Sequence, residues 1–396
     1  MRGPHWRGCP CTLAAVATPK PKQRRRWRAL LITLAVLVAV ATIGTLLVQS
    51  LPPFGGELSG ERLARAKANP HYRDGVFVNP LPPAPYTWSY VRDLLAGQFG
   101  GSEAREPPMA MPLVRATSAS LQSAAPGLRA FWIGHASVYI EIDGLRLLVD
   151  PVFSDHASPF AFGPKRFHPP PIALDDLPKI DAVLVTHNHY DHMDTGTIGR
   201  LWQRFRSRIV TPLGNDTILK GAVPDIAADA VDWDAAVDLG DGLVVHAEPT
   251  QHWSARGTGD RSHALWTSFV VQAGTKKIYC VGDSGFGTGA TFARVRGRHP
   301  DLALALLPIG AYGPGAPWLD IHMSAEDAVR AAKDVRARRL FPVHWATFNL
   351  AFHAWDEPIR RTLAAARPAR VDVVTPRIGE MVDADAPFAS TPWWER

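Results

Sequence analysis

The sequence predicts a mixed α/β domain built from layers of strands and helices, preceded by one N-terminal transmembrane helix. Two observations favour this fold class. Residues 29–48 form an uncharged and almost wholly apolar run, which has the length of a bilayer-spanning helix. From residue 129 onward, short apolar segments alternate with turn residues and helical patterns, as is typical of strands and helices packed in layers.

The apolar run at residues 29–48 is predicted to be a membrane anchor. As a helix it would rise about 30 Å, which matches the thickness of a bilayer core. A basic cluster at residues 24–28, which includes Trp27, precedes it directly, and such clusters tend to stay in the cytoplasm. We therefore expect a basic cytoplasmic tail at residues 1–28 and a single-pass protein whose main domain lies outside the cytoplasm, on the periplasmic side in a Gram-negative organism.

Two other interpretations of this run are open. The segment Ala39-Val40-Ala41 resembles the cleavage site of a secretory signal peptide, but the apolar run continues through Leu46 and Val48, which favours an anchor. A core helix is disfavoured by the arginines that flank the run. The mass of the mature protein would distinguish a cleaved peptide from an anchor.

The positive charge of the chain belongs to its N-terminal tail. Residues 1–28 hold eight of the 43 basic residues and no acidic residue, so the remainder has 35 basic and 37 acidic residues. A nucleic-acid-binding domain would keep a basic surface without its tail, so we expect no nucleic-acid partner. The three cysteines, Cys9, Cys11 and Cys280, are too few for a disulfide framework or a four-cysteine zinc site.

The rest of the chain divides by composition into three parts. Residues 49–128 contain several proline pairs and are predicted to be a peripheral extension of extended segments, with short helical patches near 60–68 and 88–95. Residues 129–385 form the main domain. Residues 386–396 are predicted to be a C-terminal tail.

Within the main domain, apolar segments bounded by turn residues predict strands. The predicted strands lie at residues 131–133, 138–142, 146–149, 182–185, 243–246, 268–271, 278–281, 302–307 and 340–343. Asp143-Gly144 predicts a hairpin turn between two of them. A helix is predicted at residues 195–205 with Asp194 as its N-cap, and another from Ser324, which opens a sequence like a capping box.

The strongest functional signal follows the predicted strand at residues 182–185. There, three histidines and one aspartate fall within six residues: His187, His189, Asp191 and His192. His187 and His189 can point to one metal ion, and Asp191 and His192 can point to a second. Imidazole and carboxylate ligands suit zinc, and Mn²⁺ or Fe²⁺ are alternatives.

Further ligand candidates again follow predicted strands. His252, Asp283 and His344 each lie shortly after a strand end, where loop residues converge in α/β architectures. Taken singly, each has a plainer interpretation as a turn residue or a partly buried side chain. Their shared position at strand ends favours metal ligation.

Together these motifs resemble the metallo-β-lactamase superfamily, whose signature is His-x-His-x-Asp-His. More closely, the chain is similar to the family of N-acyl-phosphatidylethanolamine-hydrolysing phospholipases D and its bacterial relatives. The resemblance runs from about residue 131 to about residue 352 and is carried by residues 132–137, 150–154, 163–167, 251–254, 309–312 and 344–348.

The resemblance implies an αββα sandwich and a ligand set for two Zn²⁺ ions. It assigns His187, His189 and His252 to one zinc and Asp191, His192 and His344 to the other, with Asp283 bridging them. It also places His322 near the mouth of the active site, which makes Asp191, Asp283 and His322 the candidate catalytic residues. By the same resemblance, His135 and Asp150 would orient metal ligands.

The expected activity is that of a metal-dependent hydrolase in which two metal ions activate one water as hydroxide. A phospholipid-like phosphodiester is the expected substrate, hydrolysed in the manner of a phospholipase D, with the membrane bilayer as a partner. A soluble lactone, β-lactam or phosphoester on the same fold is an alternative, and Trp253, Tyr312, Trp318 and Phe348 are candidates for the pocket wall. A non-enzymatic metal-binding envelope factor is an alternative of another class.

Overall fold

The structure of the chain is a computed structural model that describes residues 21–49, 54, 58–100, 104–121 and 126–395. The chain divides into two compact units, residues 1–51 and residues 52–396. The first unit contains helix α1 (Pro21–Gln49), whose segment Arg25–Leu47 includes an 18-residue stretch with a mean hydropathy of 2.6 and no buried residue. This helix is long and apolar enough to cross a bilayer. Most of the predicted basic tail, with Cys9 and Cys11, lies outside the described residues.

The second unit begins with short elements from the proline-rich extension. They are α2 (Gly60–Ala68), β1 (Tyr72–Arg73), β2 (Val76–Phe77), α3 (Trp88–Gly100) and α4 (Ser118–Leu121). The helical patch predicted at residues 60–68 coincides with α2, and the one predicted at residues 88–95 is the first part of α3. Ala66 and Phe77 are buried in one cluster with Leu265 and Trp266, so this stretch packs into the main domain as well as covering it.

The remaining strands and helices belong to the main domain. The strands are β3 (Leu128–Gly134), β4 (Ser137–Ile142), β5 (Leu145–Val149), β6 (Ala182–Leu184), β7 (Arg208–Pro212), β8 (Asp229–Val231), β9 (Ala236–Gly240), β10 (Leu243–Glu248), β11 (Ser268–Ala273), β12 (Lys276–Cys280), β13 (Leu304–Pro308), β14 (Arg339–Val343) and β15 (Met381–Asp383). The helices are α5 (Thr195–Phe205), α6 (Asn215–Ala222), α7 (Ala290–Arg298), α8 (Ala316–Leu319), α9 (Ala325–Val335) and α10 (Glu357–Ala369).

These strands form two mixed sheets. The first has the order β15-β3-β4-β5-β6-β7-β8 and the second the order β14-β13-β12-β11-β10-β9. In the first sheet β5, β6, β7 and β8 run parallel, and in the second β12, β13 and β14 do. The parallel part of each sheet therefore presents the carboxyl ends of several strands at one edge.

The two sheets pack face to face between two layers of helices. Alternate residues of β3 separate onto the two faces of the first sheet: Ala130 and Trp132 join the core shared with the second sheet, and Phe131 and Ile133 join the core beneath α5 and α6. Helices α7, α9 and α10 contribute to the core on the other side of the second sheet. This arrangement is the expected αββα sandwich, and it explains why every residue of β4 is buried.

Local sequence signals explain several boundaries. Asp143 and Gly144 both have positive φ, 48° and 93°, as a two-residue type I′ hairpin turn requires, and this confirms the predicted turn between β4 and β5. The Asp194 carboxylate accepts a hydrogen bond from the Thr197 amide at the start of α5. Ser324 caps α9 in the same way, so both predicted N-caps are confirmed.

The C-terminal residues do not form the tail predicted at 386–396. Trp393 and Trp394 are buried, and the Trp393 ring stacks on Trp345 with ring centroids 5.1 Å apart. Two indoles bury a large apolar area, which holds this end of the chain in the core. Since Trp345 directly follows His344, the C-terminus supports a loop of the candidate site.

Candidate metal centre

The seven predicted ligands converge at one edge of the sandwich. The loop after β6 carries His187, His189, Asp191 and His192, and loops of the second sheet carry His252 after β10, Asp283 after β12 and His344 after β14. The loops of the two sheets approach closely at Gly282, which has φ of 66° and whose added Cβ would lie 2.5 Å from the Thr186 hydroxyl. Glycine is therefore required beside Asp283.

The first group of side chains consists of His187, His189, His252 and Asp283. The distance from His187 Nε2 to His189 Nδ1 is 2.9 Å, and that from His252 Nε2 to His189 Nδ1 is 3.2 Å. The Asp283 Oδ2 atom lies 3.6 Å from His252 Nε2 and 3.9 Å from His187 Nε2. Three imidazole nitrogens and one carboxylate oxygen thus surround one point.

The second group consists of Asp191, His192 and His344, and it shares Asp283 with the first. His192 Nε2 lies 3.2 Å from Asp283 Oδ2, and His344 Nε2 lies 3.1 Å from Asp283 Oδ1. Asp191 Oδ2 lies 3.4 Å from His344 Nε2 and 3.5 Å from His192 Nε2. The Asp283 carboxylate therefore lies between the two groups.

His322 lies at the same centre. Its Nδ1 atom is 3.8 Å from Asp283 Oδ2, and its ring centroid is 5.1 Å from that of His252. Asp283, His322 and His344 form a third set of ligand atoms close enough to share an ion. All the residues predicted for the site are thus brought together.

The unpaired atoms of this centre fit a pair of divalent metal ions. Within the described part of the chain, His192 Nε2, His344 Nε2, Asp283 Oδ1 and His322 Nδ1 are buried and have no hydrogen-bond partner. Leaving such a group unsatisfied costs about 1–3 kcal/mol, and these atoms face one another. Cations coordinated by the imidazoles and carboxylates would satisfy them together.

The electrostatics of the two groups differ. Burial lowers the pKa of His187 and of His252 well below the usual value, and it lowers the pKa of His189 to about 4. Burial also acts on His344, but the Asp283 and Asp191 carboxylates outweigh it and raise the pKa of His344 to about 9. His192 behaves in the same way, with its pKa raised well above the usual value. The three imidazoles of the first group are therefore neutral at pH 7, and the imidazoles of the second group hold protons.

Outer contacts fix the orientation of several of these rings. His192 Nδ1 lies 2.8 Å from Asp150 Oδ2, and the Asp150 carboxylate also accepts hydrogen bonds from the amide and hydroxyl of Thr186. His252 Nδ1 lies 2.8 Å from the Ile321 carbonyl oxygen, to which it can donate. His135 Nε2 lies 2.8 Å from Asp191 Oδ2. Such contacts select the ring tautomer that leaves the other nitrogen available for a metal.

One supporting residue, Asn79, lies in the proline-rich extension and was not predicted from the sequence. Its amide nitrogen donates to the His252 carbonyl at 2.7 Å, and its amide oxygen accepts from the His252 backbone N–H at 3.0 Å. The neighbouring Gln251 exchanges a similar pair of hydrogen bonds with the Leu81 backbone. Asn79 and His252 are 173 residues apart in the chain, so no local sequence pattern predicts their contact.

Two buried arginines also support the loops of the centre. Arg166 donates to the carbonyl oxygens of Ile133 and Val152, which lie close to His135 and Asp150 in the chain. Arg256 donates to the carbonyl oxygens of Asn188 and Met193, at both ends of the histidine-rich loop. A buried guanidinium can serve several carbonyl groups at once because it carries five N–H donors.

The aromatic side chains proposed for the pocket wall lie at different depths. The ring centroid of Trp253 is 4.4 Å from that of His189, and the ring centroid of Phe348 is 5.3 Å from that of His135. Both aromatic side chains therefore contact the centre. Tyr312 donates to Glu357, and Trp318 packs on Phe352 and donates to the Ala311 carbonyl.

Comparison with known proteins identifies relatives of this fold and centre. Residues 145–345 match the model of a family described as "Beta-lactamase superfamily domain". An uncharacterised protein of Mycobacterium tuberculosis is 38% identical over 375 residues, which covers 91% of this chain and 98% of that protein. N-acyl-phosphatidylethanolamine-hydrolyzing phospholipase D 1 of Caenorhabditis elegans is 33% identical over 272 residues, covering 65% of this chain and 76% of the enzyme.

Among solved structures, a possible metal-dependent hydrolase from Veillonella parvula superimposes with a TM-score of 0.51 at 18% identity. The match covers 65% of this chain and all of that one. It supports the fold of the main domain.

Proposed function

The chain belongs to the metallo-β-lactamase superfamily and is related to N-acyl-phosphatidylethanolamine-hydrolysing phospholipases D, and we propose that it is a metal-dependent phosphodiesterase acting on phospholipid-like substrates. The observation that carries the proposal is the Asp283 carboxylate, which lies between two groups of imidazole side chains. Two-metal hydrolases hold their ions about 3.5–4 Å apart, and a carboxylate between the two groups can contact both ions.

We assign His187, His189 and His252 to one metal ion and Asp191, His192 and His344 to the other, with Asp283 shared between them. Zn²⁺ is the proposed ion because five of the seven proposed ligands are imidazoles, and Mn²⁺ and Fe²⁺ are the alternatives. When bound, the pair of metals would supply a water of lowered pKa and would stabilise the charge that develops on phosphate oxygens.

The side chains supply the remaining steps. The attacking water must lose a proton, and Asp191, with 16% of its side chain exposed against 1% for Asp283, is the carboxylate that substrate and water reach. His135 can hold Asp191 in place by donating Nε2–H to its Oδ2 atom. Water oxygen then bonds to phosphorus as the bond from phosphorus to the head-group alcohol breaks. The proton that Asp191 takes from the water passes to the oxygen of the departing alcohol, so the step releases a neutral alcohol. His322 is neutral at pH 7 because burial lowers its pKa to about 4, and its ring can form a hydrogen bond with the substrate.

The test of the proposal is a substrate screen with the metal-loaded full chain in detergent micelles and in vesicles. We expect release of the head-group alcohol from phospholipids and N-acylated phospholipids, and little turnover of lactones or β-lactams. Hydrolysis of soluble esters or lactones with no hydrolysis of any phospholipid would contradict the lipid assignment while leaving the hydrolase class intact. Bound metal without turnover of any substrate class would favour the non-enzymatic metal-binding role.

We further propose that α1 anchors the protein in a membrane with its main domain outside the cytoplasm. The support is the length and hydropathy of Arg25–Leu47 and the arginine cluster in front of it. Protease added to intact spheroplasts should remove the main domain. A protected main domain would contradict the orientation, and a mature protein lacking residues 1–41 would contradict the anchor.

Metal loading of the Asp191–His192–His344 group is expected to fall with decreasing pH, while the other group keeps its metal. A metal entering the second group must displace the proton that the carboxylates hold on His344, whose pKa is about 9. Its affinity should therefore drop by about tenfold for each pH unit below that value. The His189 pKa of about 4 leaves no proton to displace in the other group above that pH.

Dialysis of the protein against limiting Zn²⁺ at pH 9 and at pH 6, followed by mass spectrometry of the bound metal, would measure this difference. We expect the content to fall from about two ions to about one per chain. Equal loading at the two pH values would contradict the assignment of the protonated group.

Replacing Asn79 by alanine is expected to weaken metal binding by about 10- to 100-fold, as is typical when an orienting contact of a ligand is lost. The cause is the loss of both hydrogen bonds that fix the His252 backbone. A competition titration with a zinc chelator would measure the change. Asn79→Asp keeps the acceptor and loses the donor, so it should give an intermediate affinity, and wild-type affinity in Asn79→Ala would show that the extension does not position His252.

A further inference from the structure

Large apolar side chains are exposed at two places in the second unit. Within its described residues, every such side chain lies either between residues 86 and 109 or at positions 160 and 162. Trp88 and Phe99 are each 82% exposed, and Phe162 is 67% exposed. Grouped apolar exposure of this kind marks an interaction surface more often than scattered single residues do.

The first place is one face of α3. Trp88, Leu95 and Phe99 are spaced by seven and four residues, which puts them on the same side of the helix, and we call them the α3 stripe. Another face packs on the domain, because an added Cβ at Gly97 would lie 2.7 Å from the Phe352 ring. The two charged residues of α3, Arg92 and Asp93, pair with each other at 2.8 Å, so the helix carries no net charge.

The second place is the loop between β5 and β6. Phe160 and Phe162 stack with ring centroids 4.9 Å apart and planes 2° from parallel, and we call them the phenylalanine pair. Phe54 lies 5.7 Å from Phe160 and 6.4 Å from Tyr190. Since Tyr190 lies between His189 and Asp191, the phenylalanine pair borders the histidine-rich loop.

Both places border the metal centre, each beside a different ligand loop. Phe352, on which α3 packs, belongs to the loop after β14, and its neighbours Leu350 and Ala351 line a small cavity with His135 and His344. The α3 stripe thus adjoins the loop of His344, and the phenylalanine pair adjoins the loop of His189 and Asp191. Exposed apolar side chains therefore lie near two of the ligand loops of the metal centre.

We propose that the α3 stripe and the phenylalanine pair dock on a phospholipid bilayer, so that substrate passes from the membrane directly to the metal centre. The inference rests on the proposed function for the use of a lipid substrate. The chain itself supports this occupant, because the proposed membrane anchor α1 ends at Gln49, only five positions before Phe54 in the sequence. Trp and Phe side chains on an uncharged face also favour the interface of a bilayer.

The depth of these side chains can be measured independently of activity. The full chain carrying Cys9→Ser and Cys11→Ser would be labelled with a nitroxide at Phe162→Cys or at Leu95→Cys and reconstituted in phosphatidylcholine vesicles. Cys280 should not react because it is fully buried and burial raises the pKa of its thiol. We expect both labels to collide several times more often with oxygen than with a water-soluble nickel chelate, relative to a control site.

Asp238→Cys is the control. Asp238 is exposed in β9 and pairs with Val244 near the start of β10, whereas the other end of β10 leads to His252. Its label should favour the nickel chelate. The proposal is overturned if the labels at positions 95 and 162 are as accessible to the nickel chelate as the control label is. It is also overturned if both labels are shielded from oxygen and from the chelate, since that pattern indicates a protein partner.

A second variant links docking to turnover. In Phe160→Ser/Phe162→Ser, the rate on a phospholipid in vesicles, divided by the rate on the same lipid in detergent, should fall by about tenfold or more, because two large apolar side chains no longer partition into the bilayer. Asp238→Ser, a substitution at an exposed position of β9, is the control. An unchanged ratio would overturn the proposal. If the wild-type protein hydrolyses no lipid at all, the proposed function fails, and the label depths still decide whether this surface docks on the membrane.

Discussion

Asp283→Asn is expected to lower phosphodiester turnover by about 1,000-fold or more and to reduce the metal content of both groups. The asparagine keeps the volume of the side chain but loses the negative charge that faces His192, His252 and His344. Metal ions stabilise the transition state of such reactions by several kcal/mol, and each 1.36 kcal/mol corresponds to a factor of ten in rate. The measurement is kcat together with the metal content of the purified variant.

Two further substitutions make this result specific. Asp301→Asn makes the same chemical change at an exposed position with φ of 65°, a conformation that asparagine tolerates, and it should leave turnover unchanged. His189→Ala touches the first group only, so it should abolish turnover while the second group keeps its metal. Full activity in metal-replete Asp283→Asn would contradict the two-metal assignment.

Removal of the metal ions by a chelator is expected to abolish turnover and to lower the melting temperature by several degrees. Metal binds the folded centre and not the unfolded chain, so free metal at one hundred times the dissociation constant stabilises the fold by about 2.7 kcal/mol. Without metal, the buried His192, His344 and Asp283 atoms are left without partners. Differential scanning calorimetry with and without chelator would measure the shift.

Restoring Zn²⁺ should restore both the activity and the melting temperature. The chelator-induced shift should be smaller in Asp283→Asn, because that variant has less metal to lose. If the chelator leaves the melting temperature of the wild-type protein unchanged while metal analysis shows that the ions are gone, the centre does not couple metal binding to folding stability.

The parts of the fold and site that could be predicted have their causes within a few residues of chain. The ligands His187, His189, Asp191 and His192 follow a short apolar strand, and Asp143-Gly144 and the Asp194 cap are turn and helix signals of the same local kind. His252, Asp283 and His344 were predicted because each follows a strand, although the sequence could not show that the two sheets bring these strand ends to one point.

The parts that were missed depend on distant contacts. β15 pairs with β3, which lies more than two hundred residues earlier in the chain. Trp393 is buried because it packs on Trp345. No local sequence pattern predicts either contact. Helix α10 begins with Pro358 near its N-terminus and contains Pro368 in its last turn, so its sequence is easily read as a loop. Asn79 belongs to the same class, since its role exists only where the extension crosses the His252 loop.

The division of the centre between the two sheets has a consequence for how the protein matures. The loop after β6 supplies four of the seven proposed ligands, and loops of the second sheet supply His252, Asp283 and His344. Neither half of the sandwich therefore supplies all the proposed ligands of either cation. The contact of Gly282 with Thr186 forms only once both halves have come together. Cofactor acquisition should accordingly be a late event of biogenesis, after the polypeptide has been synthesised through β14 and its halves have associated.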